Sequence, residues 1–182
     1  MQRDVNLLRS DIHGVNIAFL TADRKAEGLV LPLSSADNGL LTVRALRLGR
    51  PAQHGLLSQL ADRVGLPAGA LRREVQELSG GNQQKVVLAK WLATGAGIYV
   101  FDEPTRGIDV GAKAAIHRLM RDLAGDGAAL LMVSSDLPEV IAVSDRVLVM
   151  RHGCLAGELP AGASEEEIMM LATGQAHAGV AA

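Results

Sequence analysis

The chain has 182 residues, 48% of them hydrophobic and 21% charged, a balance that excludes wholesale disorder and suffices for a sizeable core. Eighteen basic against twenty acidic residues give a net charge of −2, and only four aromatics occur. No basic field and no base-stacking platform therefore points to nucleic acid. A single cysteine, Cys154, excludes an intramolecular disulfide and suits a reducing compartment, in which no disulfide-linked partner is expected. The longest apolar run, near Ala128 to Val133, falls far short of the ~18 residues of a membrane span, and no signal-peptide core follows Met1. A soluble cytoplasmic domain, or one domain plus a subdomain, is expected.

In chain order, the apolar run Val15 to Leu20 predicts a buried strand. Ser34 to Glu77 differs in kind: it offers helices at Ala52 to Val64 and Gly69 to Glu77, punctuated by Pro51 and Pro67, and no convincing strand. Helical periodicity returns over Asn82 to Ala93, followed by an apolar strand at Ile98 to Phe101. Gly111 to Leu123 stacks Ala115, Ile116, Leu119, Met120 and Leu123 on one stripe, and Ala124 to Gly127 reads as a stop and turn. Two more strands are expected at Ala129 to Val133 and Arg146 to Met150. Ser164, with Glu167 three residues later, opens a capped helix, and the Ala/Gly-rich end beyond Gly174 reads as frayed. The strand–helix alternation after residue 80 predicts an α/β fold with a parallel layer and right-handed crossovers, carrying an inserted helical subdomain.

Two neighbouring features can carry chemistry. Leu78-Ser79-Gly80-Gly81-Asn82-Gln83-Gln84-Lys85 runs straight into a helix, where glycines allow close approach of an anion and the helix N-terminus supplies unpaired N–H groups. The plain structural reading is a helix cap after a tight turn. Ile98-Tyr99-Val100-Phe101-Asp102-Glu103-Pro104 delivers two acids at the carboxyl end of a strand, the edge where open α/β sheets place ligands. An Asp there can hold Mg²⁺ and the adjacent Glu can orient or deprotonate an attacking water. The plain reading is a pair of solvated acids before a proline turn.

About twenty residues and one helix separate the two features, and Thr105-Arg106-Gly107-Ile108-Asp109 follows the acids. With Asp23-Arg24-Lys25, Gly28-Leu29, Val110 to Lys113, Ser134 to Glu139 and Ser144-Asp145-Arg146, the chain from about Gly14 to Gly174 resembles an ATP-binding cassette ATPase. The resemblance is to the carboxyl-terminal cassette of tandem sugar-importer subunits. It implies a P-loop-NTPase-like sheet, with a partial ATPase core over residues 1–33 and 81–174 and a helical subdomain over 34–80 that ends in the signature motif; the composition of 175–182 makes that stretch an expected disordered tail. By the same resemblance Ser79, Gly80, Gly81 and Gln83 belong to the signature that caps the γ-phosphate of ATP held by a companion cassette. Asp102 matches the Mg²⁺-holding acid and Glu103 the catalytic glutamate. Asp109 matches the loop that crosses the cassette dimer. Membrane permease subunits are the further partners, with the protein peripheral at the inner face of the membrane.

Three departures qualify this. A phosphate-gripping loop needs G-x-x-x-x-G-K-[ST], yet the four lysines, at 25, 85, 90 and 113, follow Arg24, Gln84, Ala89 and Ala112. The first P-loop strand and helix are thus expected to be absent, and in the family that loop would lie before Met1. Ser135 stands where competent cassettes carry a γ-phosphate-contacting histidine. Ala22 stands where the family usually has glutamate, on a nucleotide-sensing loop, while Asp23, Arg24 and Lys25 also read as a plain solvated turn. The expectation is a chain that completes a partner's ATP site and is inactive alone. The alternative is a non-catalytic interaction module or truncated gene product. The five histidines show no metal-ligand spacing, and Cys154 reads as an ordinary thiol.

Overall fold

The structure is a computed structural model that describes residues 17–45, 53–67 and 69–174. Residues 15 and 16 of the first expected strand, Ala52 of an expected helix and the 175–182 tail lie outside these. The chain divides into two compact units, residues 1–133 and 134–182.

The first unit is an α/β layer with helices. Strands β1 (Ile17–Leu20), β2 (Ile98–Asp102) and β3 (Ala129–Val133) form a parallel sheet in that order, with Phe19 opposite Val100 and Val100 opposite Leu131. Between β1 and β2 come a π-helical turn (Arg24–Gly28), then α1 (Ser35–Ala45), α2 (Gln53–Arg63) and α3 (Gly80–Leu92). Helix α4 (Val110–Gly125) crosses from β2 to β3. Ala18, Leu20, Tyr99 and Phe101 are buried, as are Val86 to Ala89 of α3 and Ile116, Leu119, Met120 and Leu123 of α4. The strands are not buried on both faces as their apolar runs suggest: Phe19, Leu131 and Val133 are 41%, 52% and 53% exposed. The period-two alternation of a strand puts them on the open face.

Helix α1 is absent from the sequence expectation. Asn38, Gly39, Thr42 and Val43 weaken it locally, and tertiary contacts override propensity. Ser34 caps it: the Asp37 N–H donates to Ser34 Oγ at 3.0 Å, and that hydroxyl donates back to Asp37 Oδ2 at 2.7 Å. The Ser34 hydroxyl, then Arg44, hold the Asp37 carboxyl below the usual range. Fully buried Asn38 accepts from Val30 N–H at 2.8 Å and donates to the carbonyls of Val30, Leu33 and Ser34, stitching down the preceding turn.

The expected helix over 69–77 is instead two 3₁₀ turns, Ala70–Arg72 and Val75–Glu77, split by extended Arg73 and Glu74. Ser35 N–H donates to Arg73 O at 2.9 Å and Val75 N–H to Leu33 O at 3.0 Å. These long-range bonds replace the local helical ones.

The second unit contains α5 (Leu137–Val143), β4 (Arg146–Arg151), β5 (Cys154–Pro160) and α6 (Glu165–Thr173). Strand β4 does not extend the parallel layer; it pairs antiparallel with β5. The reason is local. His152 and Gly153 both take positive φ, 48° and 78°, as a tight two-residue hairpin turn of the type I′ class requires. Val147, Val149, Ala163 and Ile168 form this unit's core. The expected capping box of α6 is present: Glu167 N–H donates to Ser164 Oγ and Ser164 N–H to Glu167 Oε2.

Candidate functional site

Helix α3 begins at the apex of the candidate site. Ser79, in extended conformation and exposed, is its N-cap: its Oγ accepts from Asn82 N–H at 3.4 Å and its carbonyl accepts from Gln83 N–H at 2.9 Å. As the first helical residues, Gly80 and Gly81 carry N–H groups that no carbonyl four residues earlier can satisfy. Gln83 is buried; its Nε2 donates to Val75 O at 3.1 Å while its Oε1 has no hydrogen-bond partner.

The two glycines also let other parts of the chain approach closely. A Cβ at Gly80 would lie 2.6 Å from Arg24 Nη2 and 3.1 Å from Gly107 O. One at Gly81 would lie 2.9 Å from the Cβ of Ala112 and 3.3 Å from Asp109 Oδ2. The structure thus brings Gly80 and Gly81 together with the Gly107–Asp109 loop. Asp109 caps α4 by accepting from Ala112 N–H at 2.9 Å.

The acids stand at the carboxyl end of β2. Asp102 is its last residue, in register with Val133 and half-buried. Glu103 follows with φ 48°, a left-handed conformation rare for a non-glycine residue, and its N–H donates to Val133 O at 2.8 Å. Strained backbone of this kind gathers at working sites. Arg106 N–H then donates to Glu103 O at 3.1 Å, closing the turn over buried Pro104 and Thr105.

Ser135 lies in the second unit, exposed at the bend before α5. Asp136 beside it caps α5, accepting from Glu139 N–H at 3.2 Å.

Arg24 departs most from the expected solvated turn. Asp23 caps the turn, accepting from the N–H groups of Lys25 and Ala26 at 3.1 and 3.0 Å. Half-buried Arg24 donates from Nη1 to Arg106 O at 3.0 Å and from Nη2 to Gly107 O at 3.5 Å. Its position beside a strand end was visible in sequence; its partners, 82 and 83 residues on, were not.

Chemically, the N-terminus of α3 suits a phosphate. Among the described residues no group of three or more His, Cys, Asp or Glu is arranged to hold a metal. Asp102 and Glu103 are oxygen donors that fit Mg²⁺ in its usual mode, where one or two carboxylates are completed by water and phosphate oxygens.

Residues 9–106 match the family model described as ABC transporter. The chain is 47% identical, over 97% of its length and 36% of the relative's, to ribose import ATP-binding protein RbsA 2 of Streptomyces avermitilis. It is 44% identical to the protein RbsA of Corynebacterium glutamicum over 87% of the chain and 32% of that protein. It therefore spans about a third of the length of the curated relatives it matches. Its fold is that of the ATP-binding cassette MJ0796, solved as a dimer in a post-hydrolysis state with ADP and Pi. The TM-score is 0.71 at 21% identity, covering 81% of this chain and 63% of that one.

Proposed function

The chain belongs to the ABC transporter family, and from that membership we propose that it is the ATP-binding cassette component of a carbohydrate importer, presenting Ser79, Gly80 and Gly81 to ATP held by a companion cassette. The observation that carries the sugar class is the identity of 44–48% to relatives named for ribose import, spread over most of the chain. Membrane permease subunits are the remaining partners, with the chain peripheral at the cytoplasmic face. Among the described residues no helix is long and apolar enough to cross a membrane.

The residues present support donation to a partner. The α3 N-terminus offers uncapped N–H groups and a positive dipole end, and Ser79 keeps its hydroxyl proton free to donate after accepting from Asn82. Aimed at a γ-phosphate, these groups stabilise the charge that spreads over its oxygens as water attacks in line. Within the chain's own site Asp102 would hold Mg²⁺ and Glu103, fixed by its strained backbone, would orient the attacking water. Mg²⁺, when bound, supplies neutralisation of charge on the phosphoryl oxygens. No lysine of the chain follows a glycine, so none completes a phosphate-gripping loop.

The test is to measure Mg-ATP hydrolysis by the chain alone and after titration into a competent amino-terminal cassette. Appreciable turnover by the chain alone, abolished by Glu103→Gln, would contradict this reading. Turnover only in the mixture supports it.

A further inference from the structure

Resting on the donated-helix reading, we propose that Arg24 is a positioning residue that clamps the loop Arg106–Asp109 to the N-terminus of α3, so that the two segments present themselves as one surface. The guanidinium occupies the slot between them. Nη1 and Nη2 reach two successive carbonyls, of Arg106 and Gly107, and the same Nη2 would sit 2.6 Å from a Cβ at Gly80. Its Nε is buried without a partner, so the side chain is committed to this slot rather than to solvent. Gly107 turns with φ 69°, a left-handed conformation that glycine adopts without cost. One residue along α3, Gly81 is closed by Asp109 and Ala112, so the start of the helix is held at consecutive residues, by Arg24 and by the loop's far end.

Two physical points separate this role from a generic surface contact. A planar fork can serve two adjacent carbonyls at once, whereas an ammonium is a single point charge. A cation beside the positive end of a helix is also unfavourable by itself, and becomes favourable when an anion arrives there. The arrangement suits a surface that meets phosphate.

The experiment compares wild type, Arg24→Lys and Arg24→Ala in two ways. Amide hydrogen exchange on the 182-residue chain is expected to rise together, on the order of tenfold, at the hydrogen-bonded amides of Asn82 and Gln83 and of Arg106 and Ala112 in both variants, with α6 unchanged. In the mixture with a competent cassette, kcat for Mg-ATP is expected to fall on the order of tenfold while KM stays within about twofold, and Arg24→Lys does not rescue it. Exchange that rises at Arg106 and Ala112 but not at Asn82 and Gln83, or an Arg24→Lys variant that behaves as wild type, overturns the proposal. Should Arg24→Ala fail to fold, Arg24→Lys decides alone. Ser79→Arg is the control: if it leaves turnover intact, the donated-helix reading has failed, and the exchange comparison still decides the clamp.

Discussion

The ammonium of Lys90, on the buried face of α3, donates to the carbonyl of Gly28 at 2.5 Å and lies 5.3 Å from the centre of the Trp91 ring. It thereby ties α3 to the end of the turn that carries Arg24. The cost is a buried cation: burial lowers the Lys90 pKa from 10.5 to about 8, even though both contacts favour the charged form.

A pH dependence of stability follows. The folded chain releases the Lys90 proton near pH 8 and the unfolded chain near 10.5, so between them the unfolded state binds more protons. Stability from this group therefore rises with pH across that window, by up to about 3 kcal/mol. Buried Tyr99, whose pKa is raised, acts oppositely at the upper end and cancels when variants are compared. Urea unfolding of wild type and Lys90→Met across pH 8 to 10.5 should show the rising difference. Parallel profiles would contradict it.

Glu103 gives a second prediction. Its φ of 48° costs a residue with a Cβ about 1 kcal/mol that glycine does not lose. Glu103→Gly should be more stable than Glu103→Ala by roughly that amount in thermal unfolding. Equal stabilities would remove the strain argument.

The glycines separate by what surrounds them. Gly81→Ala drives a methyl to 2.9 Å from the Cβ of Ala112, an atom no rotamer change can move, and should destabilise by about 1–3 kcal/mol. Gly55, exposed within α2 with nothing within 4 Å of a Cβ, should gain about 0.5–1 kcal/mol on substitution by alanine. Chemical denaturation of the two variants should give opposite signs.

Asn38 is the fourth case. Its side chain makes four hydrogen bonds to the turn at residues 30–34 from a fully buried position. Asn38→Leu strands those backbone groups and should cost about 3 kcal/mol or more in urea unfolding. A cost below about 1 kcal/mol would mean that water replaces them.

Elements held by local interactions are legible in the sequence, and those held by distant ones are not. Strands β1 to β3, α4 and the capping box of α6 are written in local apolar period and cap residues, and all appear. Helix α1 stayed hidden because its stability rests on Asn38 and on the close approach of Gly39 to Leu57, which are tertiary facts. Strand β5 stayed hidden because Ala156, Gly157 and Pro160 are weak strand formers. Gly157 lies against the end of the Leu171 side chain, which a Cβ would meet at 2.8 Å. The Ser79–Gly81 and Asp102–Glu103 features were legible as chemistry at helix and strand ends. That Gly80 also makes room for Arg24 was not, since nothing in sequence joins residues so distant.

The central claim, that this chain supplies its α3 N-terminus to ATP held elsewhere, is tested most directly by one titration. Wild-type chain and Ser79→Arg are added to a competent amino-terminal cassette while Mg-ATP hydrolysis is followed. The account predicts stimulation by the wild-type chain that Ser79→Arg abolishes, with the variant's own fold intact by circular dichroism. Equal stimulation by both chains would contradict it.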